Sequence, residues 1–203
     1  MLDMGGFSTF MAYAMFAVFA QNIVITSAAG VNSALGAAAK PKKIPLTALF
    51  VSVFAILASL TMLPLNIFFS TETSYMPVHG ALLTLFILLW YLIISNIVSK
   101  IEFLSEHIGE YIAPAALNGA VIGLPLLLNF NNMGSTAIEV LGVGFGAGLG
   151  FALAAALVAA GLSFTDRAGV PKAFGGAPLM LIYIGVLSMG FSVFDGYFEH
   201  FAI

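Results

Sequence analysis

Long apolar segments separated by short clusters of charged residues dominate this chain. Six segments contain no Asp, Glu, Lys or Arg: residues 4–39, 44–71, 73–99, 111–138, 140–165 and 173–194. Each is longer than the roughly 20 residues that an α-helix needs to cross a bilayer. Their apolar positions do not alternate with polar ones, as they would in the strands of a membrane β-barrel. Because backbone groups in lipid must bond within their own segment, the pattern predicts an all-α integral membrane protein with six transmembrane helices.

The composition excludes several other classes of protein. Of 203 residues, 61% are hydrophobic and 7% are charged, whereas soluble domains carry about 25% charged residues. A soluble domain of this size has too little interior to bury so much apolar surface. The formal net charge of -3 argues against binding to nucleic acid. The chain contains no cysteine, so it supplies no disulfide, thiolate ligand or cysteine nucleophile.

The basic residues all fall on one side of the predicted topology. They follow the first, third and fifth segments: Lys40, Lys42, Lys43, Lys100, Arg167 and Lys172. Six alternating spans place these three loops on the same face, which the positive-inside tendency makes cytoplasmic. We therefore expect one transmembrane domain over residues 1–203, with both termini outside.

The first and fourth segments contain residues that interrupt helices. The second part of the first segment is rich in small and polar residues, and the fourth contains Pro114 and Pro125. Proline removes a backbone donor from a helix. Since these segments open two halves of three spans each, the halves would be inverted relative to each other. We expect an inverted repeat, with residues 1–100 and 101–203 as its units; the alternative is two ordinary kinked helices.

The candidate functional residues lie at these two interruptions. They are all uncharged: Gln21, Asn22, Gly30, Asn32, Asn118, Gly119 and Gly123. Amide and backbone carbonyl oxygens ligate small ions without burying a charge, so these residues are candidates for an ion pathway. The alternative is that the side-chain amides satisfy backbone groups freed by the interruptions. No catalytic residue and no metal site is predicted.

Two further patterns concern packing and the membrane surface. In the fifth segment Gly142, Gly146 and Gly150 form one row, and Gly144 and Gly148 form a second. Such rows of small residues let helices approach closely in lipid, so we predict two packing faces. The stretch KIEFLSEHIGEYI, residues 100–112, predicts a short amphipathic helix at the membrane interface. Its acidic stripe is either a solvated face or a docking surface.

Three stretches of sequence resemble the RnfA/NqrE family. They are QNIVITSAAGVNSALGAAAKPKK (residues 21–43), ALNGAVIGLPLLLN (116–129) and VPKAFGGAPLMLIYIGVLSMGF (170–191). The most specific feature is a Val-Pro-x-x-Phe-x-Gly pattern at Val170, Pro171, Phe174 and Gly176. Members of this family are six-span subunits of ion-translocating electron-transport complexes in the prokaryotic cytoplasmic (inner) membrane. The resemblance implies three kinds of partner: the lipid bilayer, a homologous six-span subunit of inverted orientation, and subunits that carry flavin or iron-sulfur groups.

The chain departs from the family at two positions. Each interrupted helix of the family carries a cysteine, and together with two from the inverted subunit these hold a [2Fe-2S] cluster. The matching positions here are Asn32 and Gly119, and neither provides the thiolate that such a cluster needs. The resemblance therefore implies a chain that binds no cofactor itself, with any [2Fe-2S] cluster or flavin held by partner subunits.

The sequence leaves three functions open. The first is a non-catalytic membrane subunit of an Rnf/Nqr-like complex that forms the membrane core. The second is a stand-alone or homodimeric transporter of ions or small solutes that reuses the fold, because fold alone does not fix function. The third is a structural subunit that anchors redox-active neighbours.

Overall fold

The computed structural model describes residues 5–68, 76–130, 135–165, 171 and 176–199. All regular structure within these ranges is helical. The α-helices are α1 (Gly6–Phe19), α2 (Ile23–Thr26), α3 (Val31–Ala38), α4 (Ile44–Phe68), α5 (Met76–Ser99), α6 (Glu102–Ala116), α7 (Gly119–Phe130), α8 (Ala137–Thr165) and α9 (Ala177–Glu199). A 3-10 turn, Pro41–Lys43, precedes α4.

The helices are long and apolar enough for a membrane protein. Four candidate spans are continuous or nearly so: Gly6–Thr26, Pro41–Leu65, Val78–Ser99 and Ala137–Phe164. A fifth consists of Ser105–Ala116 and Gly119–Leu128, which meet at an angle of 48°. The apolar stretch of α9, Pro178–Phe194, is shorter. The described ranges thus contain four or five candidate spans rather than the six expected, because α9 falls short of the length of the others.

Helix α8 lies at the centre of the bundle. It contacts α1 and α4 most extensively and also packs against α3. Phe151 and Ala155 of α8 are fully buried, as are Phe54 and Val51 of α4. The core therefore lies mainly between α8 and its neighbours, whereas the large apolar residues of α5 and α9 face outward.

The two glycine rows of α8 are the contact surfaces for α1 and α4. A Cβ atom built on Gly142 would lie 2.6 Å from the carbonyl oxygen of Phe10 in α1. One built on Gly148 would lie 2.8 Å from the carbonyl oxygen of Ala48 in α4. The prediction of two packing faces is confirmed, and each face serves a different neighbouring helix.

The amphipathic stretch is not a separate interfacial helix. Helix α6 runs without a break from Glu102 to Ala116 and includes Pro114. Ile112 is buried and Ile101 is exposed, so the apolar stripe turns inward along the helix. No turn-forming residue separates the charged stretch from the apolar one, and proline forfeits only one helical hydrogen bond. The fourth helical segment consequently begins at Glu102, ahead of the uncharged segment that starts at residue 111.

The family-like motif before α9 is only partly described. Val170 and Phe174 lie outside the described residues, as do the basic residues Arg167 and Lys172. Gly176 has φ +76° and directly precedes α9. Left-handed backbone of this kind favours glycine, which explains the residue at this position of the motif.

Candidate functional site

Asn22 organises the first interruption. Helix α1 ends at Phe19, and the Asn22 side chain caps α2 by accepting a hydrogen bond from the Ile25 N–H (3.3 Å). Its Nδ2 donates to the carbonyl oxygens of Val18 (3.0 Å) and Gly150 (3.1 Å). The residue is only 1% exposed. Both ends of the amide are therefore used to satisfy backbone groups of α1, α2 and α8, while the neighbouring Gln21 is half-buried.

The chain turns sharply between α2 and α3. Ala28 has φ 54° and Gly30 has φ 87°, so two residues within three positions adopt left-handed backbone. That conformation is costly for alanine, because its Cβ crowds the backbone. Gly30 directly precedes α3. The turn places the backbone of Gly30 where a second segment of the chain can approach it.

Asn118 organises the second interruption. Helix α6 ends at Ala116, and the Asn118 Oδ1 accepts a hydrogen bond from the Ala120 N–H (2.9 Å) at the start of α7. Asn118 is 0% exposed. Its Nδ2 has no hydrogen-bond partner among the described residues. The break falls here rather than at Pro114 or Pro125, both of which lie inside helices.

The two interruptions meet inside the chain. A Cβ atom built on Gly119 would lie 2.7 Å from the Gly30 nitrogen, and one built on Gly30 would collide with the Asn118 Oδ1. A Cβ on Gly123 would lie 2.9 Å from the Cδ1 of Ile23 in α2. Four of the candidate residues are thus brought together or packed against α2. No sequence signal indicates this contact, because nothing in either segment specifies its distance from the other.

Asn32 lies apart from this contact. It is exposed and lines a pocket of about 450 Å³ between α3 and α6. We call this the α3–α6 pocket. Its lining includes Ser33 and Gly36 from α3, Lys40 and Lys43 from the following turn, and Glu110 and Tyr111 from α6.

An ion pair closes one side of the α3–α6 pocket. The Lys43 Nζ lies 2.6 Å from a carboxylate oxygen of Glu110 and 5.4 Å from the centre of the Tyr111 ring. Both charged side chains are accessible to solvent, which weakens such a pair. Sequence reasoning singled out the lysines and the glutamate separately, but their pairing depends on the fold.

The residues present do not fit the [2Fe-2S] cluster of the family. An amide and a glycine offer no thiolate to iron. At Gly119 the backbone of Gly30 occupies the place where a side chain would begin, whereas Asn32 opens into the α3–α6 pocket. Within the described ranges, no group of three or more His, Cys, Asp or Glu residues is placed to hold a metal ion.

Comparison with known proteins gives relatives that share one printed name, the A subunit of the ion-translocating oxidoreductase complex. No family model matches the chain. The chain is 39% identical over 89 residues to the relative from Actinobacillus pleuropneumoniae serotype 5b, covering 44% of this chain and 45% of the relative. It is 40% identical over 89 residues to the relative from Azotobacter vinelandii, with the same coverage. For Alkalilimnicola ehrlichii the identity is 39% over 93 residues, covering 46% and 47%.

The extent of these matches limits what they carry. The chain spans about half the length of the curated relatives it matches. Within that part, the identity is high enough to indicate common ancestry and agrees with the residues that carried the resemblance. The chain is therefore similar to the A subunits of ion-translocating oxidoreductase complexes, and its resemblance to the RnfA/NqrE family is confirmed.

Proposed function

We propose that this chain is a membrane subunit of an ion-translocating electron-transport complex of the Rnf/Nqr type. In this proposal it forms the membrane core together with a homologous subunit of inverted orientation, in the cytoplasmic membrane of a prokaryote. The similarity to the A subunits of such complexes carries the proposal. The two interrupted helices, packed against each other at Gly30 and Gly119, support it because such interruptions mark ion sites in membrane proteins.

The proposed topology has six spans in two inverted units, 1–100 and 101–203, with both termini outside. The Lys43–Glu110 ion pair supports it. Lys43 follows the first segment and Glu110 precedes the apolar part of the fourth, so a six-span topology requires both residues on the same face. A contact of 2.6 Å between them is what that arrangement needs.

The proposed ion pathway runs past the second interruption and the α3–α6 pocket. Asn118 contributes a buried amide whose Nδ2 has no partner among the described residues, and Asn32 faces the pocket. Asn22 is a weaker candidate, since its amide already bonds to three backbone groups. The chain itself carries no redox group in this proposal, and any [2Fe-2S] cluster or flavin belongs to partner subunits.

Affinity purification from the native membrane in mild detergent, followed by mass spectrometry, tests the proposal. We expect a homologous six-span protein to co-purify with subunits that carry flavin or iron-sulfur groups. An unrelated tagged protein of the same membrane serves as the control. Recovery of this chain alone, or as a homodimer, would contradict the proposal and favour a small transporter.

A further inference from the structure

The α3–α6 pocket has the size and position of a ligand site at the membrane surface. Its volume of about 450 Å³ falls in the range of about 300–1,000 Å³ that small-molecule sites occupy. Asn32, in the first turn of α3, lines one part of it, and Lys40, beyond the end of α3, lines another. At 1.5 Å per residue, this is a length of about 12 Å. The pocket is therefore an elongated groove along α3.

The charges around the groove favour an anion. Lys40 and Lys43 both line it, against the single carboxylate of Glu110. Lys43 pairs with that carboxylate at 2.6 Å, and Lys40 forms no ion pair within the part of the chain that the structure describes. The lining thus carries one positive charge in excess. A phosphodiester, with its single negative charge, neutralises this excess, whereas a cation would be repelled by Lys40.

The location of the groove favours a lipid as the source of the phosphate. Lys40 and Lys43 lie at the beginning of the candidate span Pro41–Leu65, and Glu110 lies in the first turns of Ser105–Ala116. Lipid headgroups occupy the ends of membrane spans, and basic pockets between helices there bind anionic headgroups. Asn32 and Ser33, at the other end of the groove, offer hydrogen bonds to a hydroxylated headgroup rather than to an acyl chain.

We propose that the α3–α6 pocket binds the phosphate group of an anionic phospholipid with a hydroxylated headgroup, such as phosphatidylglycerol. Lys40 and Lys43 hold the phosphate, and Asn32 and Ser33 bond to the headgroup hydroxyls. Gly36 keeps the middle of the groove open, because a Cβ atom built there meets no atom within 4 Å. This site is independent of the proposed assembly with partner subunits.

Native mass spectrometry of the full chain, purified in mild detergent, tests the proposal. The chain is titrated with phosphatidylglycerol and, in parallel, with phosphatidylcholine, which has no net charge. We expect retention of phosphatidylglycerol with one bound molecule at saturation, and weaker retention of phosphatidylcholine. Equal retention of both lipids would overturn the proposal.

Two pairs of matched variants locate the site. Lys40→Gln removes a lining ammonium, and Lys42→Gln removes a neighbouring one that does not line the groove. One lysine near an anionic lipid surface corresponds to about a fivefold change in affinity, so K40Q should bind phosphatidylglycerol about fivefold more weakly and K42Q nearly as wild type. Equal losses in both variants would mean non-specific attraction and would overturn the proposal.

The second pair fills the groove without removing charge. Gly36→Leu places a side chain in the open space, whereas Gly185→Leu places one on an exposed, equally open position of α9. We expect at least a tenfold loss of phosphatidylglycerol binding in G36L alone, with both variants keeping the wild-type circular dichroism spectrum. Unchanged binding in G36L would overturn the proposal.

Inorganic phosphate distinguishes a lipid from a soluble source of the same group. We expect millimolar phosphate to leave phosphatidylglycerol binding and the thermal midpoint of the chain unchanged. If phosphate alone raises the midpoint as much as the lipid does, and does so less in K40Q than in K42Q, the site takes a soluble phosphate and the lipid proposal is wrong.

Discussion

At the scale of single residues, Gly119 is the position where the fold leaves least room. A Cβ atom there would lie 2.7 Å from the Gly30 nitrogen and 3.3 Å from the carbonyl carbon of Ala29. Both are backbone atoms, so the contact is relieved only by moving one interruption away from the other. We expect Gly119→Ala to lower the free energy of unfolding by about 1–3 kcal/mol, the usual cost of overpacking.

Thermal unfolding in detergent, with Gly36→Ala as the matched control, measures this effect. Gly36 also lies in a helix, but a Cβ atom there meets no atom within 4 Å. The control should therefore be neutral or slightly stabilising, since alanine favours a helix over glycine by about 1 kcal/mol. If G119A is as stable as G36A, the two interruptions are not in contact.

The Asn118 side chain separates a capping role from a role in transport. Its Oδ1 accepts from the Ala120 N–H at 2.9 Å, and removal of such a cap costs about 0.5–2 kcal/mol. Asn118→Ala should show this loss, whereas Asn118→Ser keeps an acceptor for the cap and discards the unpartnered Nδ2. Unfolding and ion flux in proteoliposomes are measured together. Normal stability with reduced flux in N118S would indicate a pathway, and normal flux would assign the residue to capping alone.

At the scale of helices, the two faces of α8 offer independent tests of the packing. Gly142 packs against Phe10 of α1, and Gly148 packs against Ala48 of α4. Alanine at either position would push two helix backbones apart. We expect Gly142→Ala and Gly148→Ala each to lower the free energy of unfolding by about 1–3 kcal/mol.

Because the two faces contact different helices, the losses should be nearly additive in the double variant. Gly185→Ala in α9 is the control, since its Cβ atom would meet no atom within 4 Å. Unfolding by denaturant in mixed micelles gives all four values. A double variant no worse than either single variant would show that α8 does not use both faces at once.

At the scale of the whole molecule, the sequence anticipates elements better than their arrangement. Asparagine and glycine in apolar segments indicate interruptions because they cap or end helices, and the structure has breaks at Asn22 and Asn118. The spacing of glycines in α8 indicates two packing faces for a similar local reason. The Gly30–Gly119 contact and the Lys43–Glu110 pair join residues far apart in sequence, so no periodicity reveals them. The start of α6 at Glu102 escapes prediction because the charge boundary does not coincide with a helix boundary.

The topology of the whole chain depends on whether the bent pair α6–α7 crosses the membrane or returns to the face it entered from. Between Lys42 and Arg167 the chain passes through α4, α5, the bent pair and α8. If all four cross, K42C and R167C lie on the same face and S135C lies on the opposite one. If the pair re-enters, only three cross, so R167C moves to the other face and S135C joins K42C.

Labelling of these single-cysteine variants with a membrane-impermeant maleimide, in right-side-out and inverted vesicles, decides between the two. The natural chain contains no cysteine, so the parent gives no background. A154C, at a position buried in α8, should stay unlabelled from both sides. We expect K42C, K100C and R167C to react only in inverted vesicles, because the basic residues of a membrane protein face the cytoplasm. Reaction of R167C in right-side-out vesicles, with S135C labelled in inverted ones, would make α6–α7 a re-entrant pair and end the argument for an inverted repeat.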